Sequence, residues 1–170
     1  MALDGIAVSN IIYELNKSLI GGRIDKIYQP QKDEIVMSVR NNGTSKLLLS
    51  ANPSHPRLHI TTIQRENPIT APMFCMVLRK HIAGSRILSI SQYGLERIAS
   101  IKVEAMNEMG DMVERNLIIE IMGKHSNIIL TDENGKILDS IKHITHETSS
   151  VREVLPGKTY SFPPSQDKLN

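Results

Sequence analysis

Apolar residues recur along this chain at two periods, and the period changes mark its elements. Leu3, Ile6, Ala7, Ile11, Leu15 and Leu19 step by three or four, which predicts an amphipathic first helix. Asp4 falls in its first turn, where a carboxylate caps free N–H groups and meets the positive end of the helix dipole. Gly21-Gly22 ends the helix. Strand-like runs follow at 23–28, 34–40, 46–50 and 58–61. Asn42-Gly43 is a hairpin signal between the second and third runs, and a Pro-rich loop at 52–56 precedes the fourth. The helical period returns at 72–83. Pro72 suits the first turn, where its missing N–H costs nothing, and Phe74, Val77, Leu78 and Ile82 form one stripe. Gly84 stops the helix. Strands resume at 86–93, 97–106, 113–122, 126–131 and 136–141, the last two joined by a turn at 132–135.

A helix, a block of strands, a helix and more strands with short turns predict an α+β fold. The expected architecture is an antiparallel β-sandwich or barrel with flanking helices. Residues 1–155 form the domain, and the tail at 156–170, with Pro163-Pro164, has the character of an outgoing linker.

Composition narrows this picture. The chain has 170 residues, enough for one domain with a real core. It has four Tyr, two Phe and no Trp, so the core must rest on aliphatic side chains and Met. One cysteine, Cys75, precludes an internal disulfide, and its place on the apolar second helix favours a buried, inert thiol. No stretch has the character of a signal peptide or a membrane span, so a reducing, cytoplasmic setting is expected. Net charge is +2 but uneven: residues 1–85 carry ten Lys/Arg against six Asp/Glu, and residues 86–170 carry ten against twelve. That permits a basic face but falls short of a dedicated duplex binder.

Candidate chemistry is sparse. His143-x-x-His146-Glu147 lacks the spacing and companions of a zinc site, so a loop role is favoured over metal. No nucleophile elbow or phosphate-cradling glycine loop occurs. Neither a catalytic residue nor a cofactor is assigned. The segment Gly123-Lys124-His125-Ser126-Asn127 offers donors between two apolar strands, which suits phosphate or another ligand. It equally suits a tight bend at Gly123 with Ser126 and Asn127 bonding the turn. Glu96-Arg97 at a strand start serves as a solvated edge that blocks pairing. The same two residues could also read bases: the Arg fork matches phosphate or guanine, and the carboxylate accepts from an exocyclic amine. On the residues alone the edge reading leads.

Several longer stretches change that balance. MALDGIAVSNIIYEL, GGRIDKIYQP, LLLSANPSHPRLHIT, ENPITAPMFCMVLRKHI, LIIEIMGKHSNIILTD, ILDSIKHI and REVLPGKTY together resemble the N-terminal NFACT domain of the RqcH/FbpA family. The resemblance covers essentially the whole chain. It implies the first part of a longer protein, whose helix-hairpin-helix, coiled-coil and NFACT-R portions are not in this sequence. It also implies a fold similar to the N-terminal domain of formamidopyrimidine-DNA glycosylases. Ala2 and Leu3 stand where those enzymes carry a proline and a glutamate, so no glycosylase activity is expected. The family acts in ribosome-associated quality control. Its members bind obstructed large ribosomal subunits holding peptidyl-tRNA and recruit alanyl-tRNA for untemplated alanine tailing, with bonds made by the ribosome. The resemblance thus implies a cytoplasmic, ribosome-associated, non-enzymatic tRNA-binding domain. The family's Asp-Arg signature falls on Glu96 and Arg97, with Glu one methylene longer than Asp. Asp4 matches an implicated N-terminal Asp, and Lys124, His125 and Asn127 join the expected tRNA-binding set. The family's older name implies instead an adhesin for fibronectin or fibrinogen, which would require surface exposure without an export signal.

Overall fold

The computed structural model describes residues 4–93, 97–147 and 152–163. Helix α1 runs Gly5–Leu19, and the Asp4 carboxylate caps it by accepting the Ala7 N–H at 2.7 Å. Its buried face is Val8, Ile12, Leu15 and Leu19. The expected stripe is therefore right at its C-terminal half and rotated at its start: Ile6 is 70% exposed. Stepping back from Leu15 by three or by four reaches Ile12 or Ile11, both apolar. Periodicity alone cannot choose between them.

Among the described residues, nine strands follow in an unbroken antiparallel sheet. In chain order they are β1 Arg23–Gln31, β2 Glu34–Arg40, β3 Thr44–Ser50, β4 Arg57–Thr61, β5 Arg86–Gln92, β6 Ile98–Met106, β7 Met112–Glu120, β8 Asn127–Asp132 and β9 Ile137–Ser140. Helix α2, Met73–Ile82, lies between β4 and β5. Pro72 proves to be its N-cap residue rather than part of its first turn. The spatial order is β4-β3-β2-β1-β5-β6-β7-β8-β9. Each half is a meander, as expected where short turns join sequential strands. Asn42 and Gly43 both adopt positive φ, 58° and 130°, at the β2–β3 hairpin, the backbone that a primed turn requires. β1 runs past the expected position 28 to include Pro30. Its ladder with β5 is a single pair, Arg23 with Arg86, so the side that needs no N–H is available there.

That short β1–β5 seam is reinforced by main-chain bonds from Ile24 to Ser85 at 2.9 Å and between Gly21–Gly22 and Ile87 at 2.8–2.9 Å. The sheet curls about it. α1 touches β4, β5 and β6; α2 touches β1, β6 and β9; and β3 meets β8 across the interior. One main core results, in which Ile35, Met37 and Val39 of β2 and Ile101, Val103, Leu117 and Leu130 of the other half surround Phe74, Leu78 and Ile82. A smaller apolar cluster lies on the opposite face of β6–β9: Ile98, Ile118, Ile129 and Ile137, covered by Val154 and flanked by Tyr93 and Tyr160. The alternation of β-strand side chains sends successive residues to these two layers.

Candidate nucleic-acid interface

The expected site residues that the structure describes gather at one end of the sheet. β5 ends at Gln92 and β6 begins at Ile98, and the Tyr93 N–H donates to the Ile98 carbonyl at 3.1 Å where the hairpin opens. The Gln92 carboxamide donates to the Gly5 carbonyl at 2.9 Å, which pins the start of α1 and Asp4 to this end. The Ile121 N–H donates to the Arg97 carbonyl at 2.8 Å. The exit of β7 and the turn after it are thereby held beside Arg97. Three stretches remote in sequence become neighbours: the α1 cap, the β5–β6 hairpin and the β7–β8 turn. Arg97 is half-buried. Glu96 lies outside the described residues.

The β7–β8 turn is built by its own polar groups. Gly123, at φ 57°, starts a single 3-10 turn over Gly123–His125. The buried Ser126 hydroxyl accepts the Met122 N–H at 2.8 Å, and the Ser126 N–H donates to Gly123 at 3.1 Å. Asn127 is 2% exposed. Its Oδ1 accepts N–H groups from Ile128 and Lys142, and its Nδ2 donates to the Lys142 carbonyl at 3.0 Å. Its carboxamide thus ties β8 to the chain after β9 and is turned inward. Lys124 and His125 remain exposed at the tip. Both readings of the segment hold in part: Ser126 and Asn127 make the bend, and Lys124 and His125 are what the bend presents. Asp4 likewise spends its carboxylate on the helix cap.

A polar cluster that the residue pattern does not assemble lies beneath this end. Glu120, which pairs with Ile98 in the β6–β7 ladder, is fully buried. Its carboxylate is paired with Arg152 and accepts the Tyr160 hydroxyl at 2.7 Å. Burial, then the neighbouring carboxylate, pushes the Tyr160 phenol far above its usual pKa. The Phe162 ring meets Tyr93 edge-on at 4.7 Å and Tyr160 at 5.9 Å. Main-chain bonds join Gly157 to Ile137 and Tyr160 to Gly135, both at 2.8 Å. The described part of the expected linker, 156–163, therefore packs onto the sheet. One signal for Glu120 was present: a lone carboxylate inside the apolar run Leu117-Ile118-Ile119-Glu120-Ile121-Met122. Nothing local marks Arg152 as its partner.

Lys142 also bridges elements here. Its ammonium donates to the Ala51 carbonyl at 2.7 Å, and burial lowers its pKa, opposed by Asp33 and assisted by Lys32. His143 bonds Asp139 at 2.7 Å, and His146 lies 3.6 Å from Glu153. Among the described residues no group of three or more His, Cys, Asp and Glu could hold one metal ion. Among them, too, no helix is long and apolar enough to cross a membrane.

Comparison with known proteins places this geometry in a family. Residues 4–170 match the family described as NFACT N-terminal and middle domains. The chain is 49% identical over 172 residues to the Rqc2 homolog RqcH of Bacillus subtilis, covering all of this chain and 30% of that protein. A more distant human relative is the ribosome quality control complex subunit NEMF, 29% identical over 143 residues, 84% of this chain and 12% of that one. Among solved structures, the N-terminal domain of fibronectin-binding protein PavA from Streptococcus pneumoniae matches with TM-score 0.92 and 47% identity. That match covers 95% of this chain and 62% of the other. The chain thus spans about a third or less of the length of these full-length relatives, whose names place the family in ribosome quality control.

Proposed function

The chain belongs to the NFACT family, and from that membership we propose that it is the tRNA-reading module of a ribosome-associated quality control factor. The supporting observation is the convergence at one sheet end of Arg97, the exposed Lys124 and His125, and the capped start of α1. The Ile121 bond holds the Arg97 main chain beside the β7–β8 turn, and in this reading its guanidinium meets a base edge or phosphate. Glu96 accepts from an exocyclic amine. Lys124 and His125 hold backbone phosphates. Asp4 and Asn127 fix the elements that carry these groups. The domain performs no bond chemistry itself. In the whole factor it works in the cytoplasm on large ribosomal subunits obstructed by peptidyl-tRNA, and it recruits alanyl-tRNA for untemplated alanine tailing by the ribosome.

Titration with alanyl-tRNA and an unrelated tRNA at two salt concentrations tests this. Wild type binds alanyl-tRNA selectively, and its affinity falls as salt rises because counterions are released. Arg97→Ala weakens binding by about tenfold or more, the scale of a lost base contact. Binding indifferent to Arg97 moves the recognition surface elsewhere. The name of the PavA neighbour favours a second reading, an adhesin domain for fibronectin or fibrinogen displayed at the cell surface. In that case matrix protein binds equally well to wild type and Arg97→Ala.

A further inference from the structure

The chain has four Tyr, two Phe and no Trp, and three of these aromatics meet at the sheet end that carries Arg97. Tyr93 follows β5 and donates its N–H to Ile98, the residue after Arg97. Tyr160 and Phe162 come from the segment packed on the outer face. The Phe162 ring stands edge-on to Tyr93, with 4.7 Å between centres and 67° between planes, and to Tyr160, with 5.9 Å and 88°. Its place is fixed from both sides. The Tyr160 hydroxyl is held by the Glu120 carboxylate, and the Ser161 carbonyl beside Phe162 accepts from the Arg152 guanidinium. Yet Phe162 is 57% exposed, whereas Tyr93 and Tyr160 are half-buried. A single exposed apolar residue is ordinary. An open ring clamped edge-on by two others and set beside cations is not. Met122 packs on the same small apolar cluster as Tyr93 and Tyr160, and the exposed Lys124 and His125 follow it directly on the β7–β8 turn. Beneath the rings the Glu120 charge is neutralised by Arg152.

We infer that Phe162, set by Tyr93 and Tyr160, is a stacking platform for one unpaired RNA base, whose flanking phosphates lie toward Lys124 and His125. The inference rests on the reading of this end as a tRNA interface. It adds that the RNA is met there as an unpaired strand and not as a duplex. A base inside a duplex has its faces covered by its neighbours and offers none to a side chain. An unpaired base offers a whole face, and stacking on an aromatic ring is indifferent to which base it is. Phe162 thus holds the strand, and selectivity is left to Arg97. The ring needs little ordering on binding, because the two edge contacts already orient it. An apolar peptide side chain would also cover the ring, but the neighbouring cations favour a polyanion.

The test begins with Phe162→Trp, which gives this Trp-free chain a single reporter at the platform. Its emission is expected to be quenched by hexaadenylate and by alanyl-tRNA, but not by an RNA duplex without unpaired residues. Phe162→Leu keeps an apolar side chain over the cluster and removes the ring face. It is expected to retain the wild-type circular dichroism spectrum and to bind hexaadenylate and tRNA about tenfold more weakly by calorimetry, the scale of one lost stack. Its affinity for tripolyphosphate, an anion with no base, is expected to match wild type. Unchanged affinity of Phe162→Leu for either RNA that the wild type binds overturns the inference, whatever Arg97→Ala does. So does quenching by the duplex as strong as by the single strand, or quenching by neither RNA. Binding of hexaadenylate that depends on Phe162, together with tRNA binding indifferent to Arg97, keeps the platform and removes the tRNA reading, so the two failures are distinguishable.

Discussion

On its inner face the β6–β8 part of the sheet meets the helices through aliphatic side chains: Ala99, Ile101, Val103, Leu117, Ile119, Ile128 and Leu130. On its outer face it meets residues 152–163 through Ile98, Ile118 and Ile129, with the buried Glu120–Arg152 pair at the border. The two layers arise from alternate residues of the same strands but do different work. The inner layer excludes water and has no orientation preference beyond packing. The outer layer contains a charge that tolerates one arrangement only, because a buried carboxylate without its guanidinium is costly. It therefore fixes where residues 152–163 lie, and through Phe162 on Tyr93 it supports the residue that follows β5.

The largest expected effect separates the layers. Arg152→Met should destabilise the domain by about 3–5 kcal/mol in urea unfolding, since it strands the Glu120 charge. Adding Glu120→Leu should recover most of that loss. If the double variant is as unstable as the single one, the stranded charge is not the cause. Leu78→Ala, in the inner layer, should cost about 2–5 kcal/mol through lost contacts and a cavity. Combined with Arg152→Met, its effect should add within about 0.5 kcal/mol, as for sites that share no partner. Strong non-additivity would merge the layers into one unit.

Tyr160→Phe is a smaller break, about 1 kcal/mol for one hydrogen bond. It also has a pH signature. The folded-state phenol pKa is raised, so above the unfolded value of about 10 the unfolded chain has released a proton that the folded chain still holds. Stability should therefore fall as pH climbs past that point, and the Tyr160→Phe variant should show a shallower fall. An identical slope would remove Tyr160 from the account. The smallest effect concerns the inner layer. Burial, partly offset by Arg79, raises the Cys75 thiol pKa, so iodoacetamide should label it slowly at pH 8 until the protein is unfolded. Rapid labelling of the native protein would mean that α2 is loosely packed.

Much of this was legible in the residues. Both helices, the Asn42-Gly43 hairpin, the Asp4 cap and the inert setting of Cys75 follow from local spacing and turn chemistry. What the residues leave open has local causes too. Two apolar residues, Ile11 and Ile12, permit two helix rotations, and the structure turns Ile6 outward. The type of Asn127 fits both a turn and a phosphate site, and its three internal bonds are those of the turn. The segment 156–163 is polar and Pro-rich, and its anchors, Tyr160 and Phe162, are two isolated aromatics whose partners include Glu120 and Tyr93 far upstream.

By itself, then, the sequence determined the elements, their order and most inward-facing residues, since these depend on contacts between near neighbours. The tertiary structure alone decided that the sheet curls about a one-pair seam, that Glu120 finds Arg152, and that the α1 cap, Arg97 and the Lys124-His125 turn share one end. The Gln92–Gly5 bond that brings α1 to this end spans 87 residues. Nothing in the local pattern of either partner encodes such a closure; it follows from the sum of strand pairings between them, which exists only once the whole sheet has formed.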